Sequence, residues 1–199
     1  MQGAIAYIGV ADHAGWAVTV AADDTGAVLD RRKVDLKDNS LPALPHHNES
    51  KRLALAAAVD VVEQVRRSAR LHAQSCLHEL EEALAVPIRS IALRAIPNLP
   101  DTVAERITDY WANARADGAM YREELARAAQ ERGWAVYWFD KREANELAQT
   151  EAFGEAEAAA SRRFAPPWSN DHRLALAAAL AASAVKQQED GPWLATTAA

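Results

Sequence analysis

The sequence of 199 residues contains a single cysteine, Cys76. One cysteine excludes a disulfide framework within the chain and a thiolate zinc cluster, and such scarcity is typical of a reducing compartment. Residues 1–10 lack the basic segment and the long apolar segment that together mark a signal peptide. We therefore expect a cytoplasmic protein.

Long apolar runs and glycine-rich motifs are also missing. Even Leu174–Val185 is shorter than the run of about 20 residues that a membrane span requires, so we expect no membrane partner. The sequence has no phosphate-binding loop, no dinucleotide fingerprint and no nucleophile elbow. These absences exclude the common signatures of nucleotide-dependent enzymes and of serine hydrolases.

The chain has fewer basic than acidic residues. It contains 22 Lys and Arg residues and 28 Asp and Glu residues, which gives a net charge of -6. This balance argues against gripping nucleic acid by bulk positive potential, but it leaves room for a local basic patch. Hydrophobic residues make up 50% of the chain, enough for a real core. We predict a single domain at residues 1–186 and a flexible tail at 187–199.

The apolar pattern predicts an order of three strands, helix, strand, helix, strand, helix. The predicted strands are Ala4–Asp12, Trp16–Ala22, Ala27–Leu36, Ile88–Ile96 and Trp134–Phe139, the last one covered on both faces. Between them we predict a helix that begins after Ser50 and runs to about Ala85, and a second one from Thr102, broken near Asp117-Gly118, to Arg132. Residues 141–163 are polar, helical in composition and interrupted by Gly154.

The last predicted helix is the most informative stretch. Pro166 and Pro167 prevent a helix before them, Ser169 to Asp171 offer N-cap side chains, and an alanine- and leucine-rich run follows. Asp171 and His172 therefore open a helix that is otherwise almost free of polar side chains. An acid and an imidazole at this position suggest a site.

Three segments resemble the ribonuclease H-like superfamily, and within it the Holliday-junction resolvases of the RuvC type: Ile8-Gly9-Val10-Ala11-Asp12, Asp117–Phe139, and the segment from Asn170 to Ala177. The resemblance implies an α/β fold with a mixed five-stranded sheet and helices on both faces. It also implies a divalent metal such as Mg, Mn or Zn, held by carboxylates against a phosphodiester. Nucleic acid is then the expected partner, and self-assembly is compatible with it.

By this resemblance, Asp12 matches the first-strand acid and Asp171 the last-helix acid. The sequence departs from the family at strand four, where Arg94 stands in place of an acid and would repel a cation. Glu49 is a candidate substitute if its loop folds inward. Asp12, Asp171 and His172 are the predicted catalytic residues, and Arg94 and Trp168 the predicted substrate-binding residues.

The polar residues indicate the same site independently of the family resemblance. Four of the six histidines lie in three clusters at the ends of elements that this topology brings together: Asp12 with His13, His46 and His47 with Glu49, and Asp171 with His172. Imidazole and carboxylate ligands suit zinc, manganese or iron better than magnesium. The hypothesis is that these seven residues form a metal site.

Each candidate has a structural alternative. Asp171 can simply favour the helix dipole, and His46 and His47 can be surface residues of a loop. Arg94 can pair with Asp12 in a salt bridge without any active site. Trp168 can be a hydrophobic plug and no base-stacking platform.

Two functions follow from these alternatives. The first is a metal-dependent phosphodiester hydrolase, in which Asp12 and Asp171 bind the metal and a histidine completes the shell or acts as general base. The second is a non-catalytic ribonuclease H-like module for binding or assembly, with a degenerate acidic site that Arg94 closes.

Overall fold

The computed structural model describes residues 4–189. Its five strands are β1 (Ala6–His13), β2 (Trp16–Asp23), β3 (Val28–Asp35), β4 (Ile88–Arg94) and β5 (Ala135–Phe139). Its helices are α1 (Pro45–Asn48), α2 (Leu55–Ala83), α3 (Val103–Thr108), α4 (Tyr110–Glu131), α5 (Lys141–Leu147), α6 (Glu151–Arg163) and α7 (Asn170–Glu189), with a 3-10 turn at Glu49–Lys51. No helix within residues 4–189 is long and apolar enough to cross a membrane.

The strands form one mixed sheet in the order β3-β2-β1-β4-β5. β1, β2 and β3 are joined by antiparallel pairing, while β4 lies parallel to β1 and β5 parallel to β4. Two long crossovers connect β3 to β4 and β4 to β5, as parallel strands require. This is the ribonuclease H-like arrangement predicted from the sequence, and the fold-class prediction is confirmed.

The two faces of the sheet carry separate cores. On β1, Ile8 and Val10 pack in the core that contains α2 and α4, whereas Tyr7 and Ala11 pack in the core that contains α7. Side chains alternate between faces along a strand. Asp12 therefore belongs to the α2 and α4 face, and His13 belongs to the α7 face.

Gly9 sets the approach of α7 to the sheet. A Cβ atom at this position would lie 1.8 Å from the carbonyl oxygen of Ala175 in α7. The missing side chain lets the helix rest directly on β1, and this close contact fixes where the first turn of α7 meets the end of β1.

The second crossover differs from the prediction. Thr102 and Glu105 do form the expected capping box of α3, but the break between helices falls at Asp109, whose side chain accepts hydrogen bonds from the N–H groups of Trp111 and Ala112 and so caps α4. The predicted break at Asp117-Gly118 is wrong: α4 runs through it without interruption.

β5 and the segment after it also depart from expectation. β5 pairs in parallel as predicted, but it is an edge strand within the described residues, and Ala135 and Trp138 are exposed, so it is not covered on both faces. The break in the polar region separates α5 from α6 at residues 148–150, and Gly154 lies inside α6. α7 continues to Glu189, and the rest of the predicted tail lies outside the described residues.

Candidate functional site

His13 and Asp171 meet where β1 ends and α7 begins. His13 Nε2 lies 3.0 Å from Asp171 Oδ1, and the two side chains are 40% and 32% exposed. The imidazole of His13 also stacks on the indole of Trp16, with ring centroids 4.0 Å apart and planes 6° from parallel. An imidazole oriented by a carboxylate and open to solvent can accept or donate a proton.

Asp12, one residue earlier, turns to the other face of the sheet. Its side chain is only 4% exposed, and Oδ2 lies 2.8 Å from Nη2 of Arg94 and 3.6 Å from Nε of Arg122. Burial lowers the pKa of Arg122 from its ordinary value, and the charge of Asp12 opposes that shift. Asp12 is thus a buried carboxylate neutralised by two guanidinium groups.

The same region explains the glycine in the middle of α4. A Cβ atom on Gly118 would lie 3.3 Å from the guanidinium of Arg122 and 4.0 Å from Asp12 Oδ2. Arg122 is further held by donating to the carbonyl oxygens of Gly118, Arg94 and Ala95. The absent side chain makes room for the ion cluster of Asp12, Arg94 and Arg122.

His46 is neither a surface residue nor a neighbour of Asp171. It is fully buried, and its Nδ1 lies 2.8 Å from Oδ1 of Asp117, itself 1% exposed. Asp117 also accepts the backbone N–H groups of His46 and His47. His46 Nε2 is buried without a hydrogen-bond partner among the described residues. The pair fastens α1 to the centre of α4.

His47 and Glu49 lie in the same segment as the His46–Asp117 pair, and the structure does not bring them to the His13–Asp171 pair. His47 Nδ1 lies 3.2 Å from Oδ1 of Asn113, and its Nε2 lies 2.9 Å from Nζ of Lys51. Glu49 is half-buried in the 3-10 turn that follows α1. The loop does fold inward, but it brings His46 to Asp117.

His172 belongs to a third arrangement, at the entry to α7. Its Nδ1 lies 2.7 Å from the hydroxyl oxygen of Ser169, and its Nε2 lies 3.3 Å from Arg31. Burial, reinforced by the positive charge of Arg31, lowers the pKa of His172 below its ordinary value. His172 therefore favours its neutral form.

Arg31 organises the proline-rich segment before α7. Its guanidinium donates to the carbonyl oxygens of Ala165 and Pro167 and lies 5.6 Å from the ring centroid of Trp168. Trp168 stacks on His172, packs against the α7 core, and buries its Nε1 atom without a hydrogen-bond partner among the described residues. These contacts are the ones expected if Trp168 is a hydrophobic plug, the structural alternative given for it above.

The seven predicted metal ligands are thus divided among separate clusters, of which His13 with Asp171 is the pair that the fold brings together as expected. Within residues 4–189, no three His, Cys, Asp or Glu side chains are grouped so that they could hold a metal ion. The carboxylate of Asp12 is already paired with the guanidinium groups of Arg94 and Arg122. The residues present do not fit the metal centre that the family resemblance implies.

An open cavity of about 480 Å³ lies beside Asp171, between α5 and the start of α7. Its polar lining includes Lys141, Asn145, Asn170 and Arg173. The guanidinium of Arg173 is paired with Glu157. The cavity gives solvent and small polar groups access to Asp171.

Several residues at these clusters were not found from the sequence, among them Arg122, Lys33 and the pairing role of Asp117. Asp117 and Arg122 lie among the buried alanines of α4, such as Ala116 and Ala119. Two charged residues on the apolar face of a helix are a usable signal, because buried charges need partners. Lys33, whose Nζ lies 4.3 Å from the ring centroid of Trp16, gave no signal on its strand.

Comparison with known proteins finds a likeness to solved structures. No protein-family model and no curated protein matches the sequence. The structure is similar to RuvC of Thermus thermophilus in complex with a Holliday junction substrate, at 14% identity and a TM-score of 0.49, over 96% of this chain and 97% of that one. A second Thermus thermophilus RuvC structure gives 12% identity, a TM-score of 0.49, and coverage of 94% and 97%.

The strand order and strand directions of this chain by themselves define its ribonuclease H-like fold. The resemblance to RuvC that the sequence predicted is found again among solved structures. At this identity the likeness concerns the fold, and the activity has to be argued from the residues of this chain.

Proposed function

We propose that this protein is a ribonuclease H-like binding module whose acidic centre is closed by arginine, and that it works without metal-dependent hydrolysis. The observation that supports this proposal is that two guanidinium groups pair with the Asp12 carboxylate. Nη2 of Arg94 lies 2.8 Å and Nε of Arg122 lies 3.6 Å from Asp12 Oδ2. A cation approaching Asp12 would meet two positive charges in a buried setting, where charges are poorly screened.

The partner that we propose is a nucleic-acid strand, bound at a basic–aromatic surface formed by His13, Trp16 and Lys33. Lys33 is exposed, while His13 and Trp16 are partly exposed and stacked on each other. His13 and Lys33 lie on the two sides of the Trp16 ring, so a base would stack on the outer face of the His13 imidazole. The ammonium group of Lys33 attracts phosphate. A local surface of this kind is compatible with a net charge of -6.

A second candidate is hydrolysis of a phosphodiester, in line with the first hypothesis from the sequence. The observation in its favour is the 3.0 Å contact between His13 Nε2 and Asp171 Oδ1 beside an open cavity. In this candidate, Asp171 orients the imidazole and His13 accepts a proton from water. This candidate reaction involves no metal, because the described residues do not form a set of metal ligands.

The deciding experiment combines metal titration with strand binding. Calorimetric titration with Mn²⁺, Mg²⁺ and Zn²⁺ should detect no metal binding by the wild type that depends on Asp12 or Asp171. The Asp12→Ala and Asp171→Ala variants should therefore give the same titration curves as the wild type. Branched, single-stranded and hybrid nucleic acids should stay intact on prolonged incubation. Metal bound near one equivalent in the wild type and lost in Asp12→Ala would overturn the proposal, and cleavage lost in His13→Ala without metal would favour the second candidate.

Strand binding is measured in the same preparations by fluorescence anisotropy of a labelled oligonucleotide. We expect the His13→Ala variant to bind roughly 5- to 150-fold more weakly, the range for one stacked base, and Lys33→Glu to reduce the salt dependence of binding. Arg67→Glu makes the same charge change at an exposed position on α2, across the sheet, and should bind nearly as the wild type does. Equal losses in all three variants would show that the surface is not the binding site.

A further inference from the structure

A second group of polar side chains, outside the basic–aromatic surface, lines the cavity of about 480 Å³ between α5 and α7. Lys141, Asn145 and Gln149 follow one another at intervals of four residues, which places them on one side of α5 and of the turn after it. Asn170 lines the same cavity from the start of α7. Among the described residues, none of these four side chains has a hydrogen bond or an ion pair. Their polar groups are therefore available to a ligand.

The other charged groups at the cavity are already paired. Asp171 pairs with His13, and Arg173 pairs with Glu157. Lys141 is then the one cation at the cavity that has no partner among the described residues. Its ammonium group favours a ligand that carries a negative charge.

The cavity also has an apolar lining. Ala144 is buried, and Ala148 and Leu174 are half-buried. Ligand sites commonly combine such a lining with a few polar groups that fix the orientation of the ligand, and a cavity of this size can hold a group as large as a nucleobase. A flat ring with polar edges and a nearby anionic group fits this lining, and a nucleotide has that chemistry.

The amide side chains discriminate among the bases. The amides of Asn and Gln present a donor and an acceptor side by side and match adenine, whereas Arg or Lys matches guanine and Asp or Glu matches cytosine. The cavity offers three amides, while its arginine and its aspartate are already paired. If Lys141 attracts the phosphate, the groups that are left match adenine best.

We propose that the cavity between α5 and α7 binds one unstacked adenine of the nucleic-acid strand, with the adjacent phosphate at Lys141. This inference rests on the proposed function and adds the base that the strand must carry. Asp171 joins the two sites, because it lines the cavity and its Oδ1 lies 3.0 Å from His13 Nε2. A strand with one base stacked on His13 places a neighbouring, unpaired base at the cavity. Free adenosine monophosphate carries the same chemical groups and is the other source of this chemistry.

The test is a ratio of two affinities, measured by fluorescence anisotropy. Two labelled oligothymidylates carry a single adenine or a single guanine at the same central position. The wild type should bind the adenine strand roughly 5- to 150-fold more tightly, the range for one bidentate base contact. The Asn145→Leu, Gln149→Leu double variant should bring this ratio close to one. Gln64→Leu removes an exposed amide on α2, across the sheet, and should keep the ratio, whereas His13→Ala should weaken both strands by the same factor.

The outcomes separate this inference from the proposed function. Equal affinity of the wild type for the two strands would overturn the inference and leave the proposed function standing, whereas failure to bind either strand would overturn both. An adenine preference that persists in the Asn145→Leu, Gln149→Leu variant would show that the base is recognised elsewhere. Calorimetric binding of adenosine monophosphate without any adenine preference in the strands would assign the cavity to the free nucleotide and overturn the proposal for the strand.

Discussion

The carboxylate of Asp12 lies 2.8 Å from the guanidinium of Arg94, on the face of the sheet opposite to α7. Asp12 and Asp171, the two acids expected to share a metal, thus belong to different layers. Under the proposed function, Asp12 is a structural partner of Arg94, and the removal of Asp12 should then change the stability of the fold.

We expect the Asp12→Ala variant to lower the free energy of unfolding by about 3 kcal/mol, because it leaves Arg122 buried without its counter-charge. Urea denaturation followed by circular dichroism measures the change. Asp101→Ala, which removes an exposed carboxylate, should shift stability by less than about 0.5 kcal/mol. A stable Asp12→Ala protein would mean that the arginines do not depend on this acid.

The pair of His46 and Asp117 should hold the segment before α2 in place. Because Asp117 accepts one side-chain and two backbone N–H groups, we expect Asp117→Ala to cost about 3 kcal/mol and to speed tryptic cleavage at Lys51 and Arg52. Limited proteolysis read by mass spectrometry detects this. Gln130→Ala, at an exposed position near the end of α4, serves as the control, and unchanged cleavage in Asp117→Ala would contradict the fastening role.

The contact between Gly9 and Ala175 should tolerate no added methyl group. With a Cβ atom 1.8 Å from the Ala175 carbonyl oxygen, the Gly9→Ala variant must displace α7, and we expect a loss of about 3 kcal/mol. Gly154→Ala is the matched control, since nothing lies within 4 Å of its Cβ position in α6, and it should gain roughly 0.5–1 kcal/mol. Thermal unfolding of both variants compares them, and equal stabilities would refute the close approach.

His172 should make the stability depend on pH in one direction. Its pKa in the folded protein lies below the ordinary value of 6.5, so the unfolded chain takes up the proton first as the pH falls. The contribution of neutral His172 is complete above pH about 6.5 and decreases as the pH is lowered through the interval down to the folded pKa. Denaturation midpoints from pH 8 to 5 should fall more steeply for the wild type than for His172→Gln. Parallel profiles would exclude this coupling.

The element order was readable from the sequence because strands and helices impose local periods. The alternation on β1, the caps at Thr102 and Gly133, and the proline block before α7 each act within a few residues. The same local logic failed at Asp117-Gly118, where the acid is satisfied by His46 in another helix, 71 residues away. A break signal in the sequence was in fact a tertiary partner.

The sequence by itself determined which residues carry charge and the order of the main elements, and it placed His13 and Asp171 at adjacent ends. Only the tertiary structure decided which of these groups meet. Asp12 and His13 are neighbours along the chain, yet the pleat of the strand sends them to opposite layers, one to Arg94 and Arg122 and the other to Asp171. Pairing across a fold depends on faces and distances that no local pattern encodes. For that reason the sequence offered the pair of Asp12 and Arg94 only as one alternative, and the second arginine, Arg122, became visible only in three dimensions.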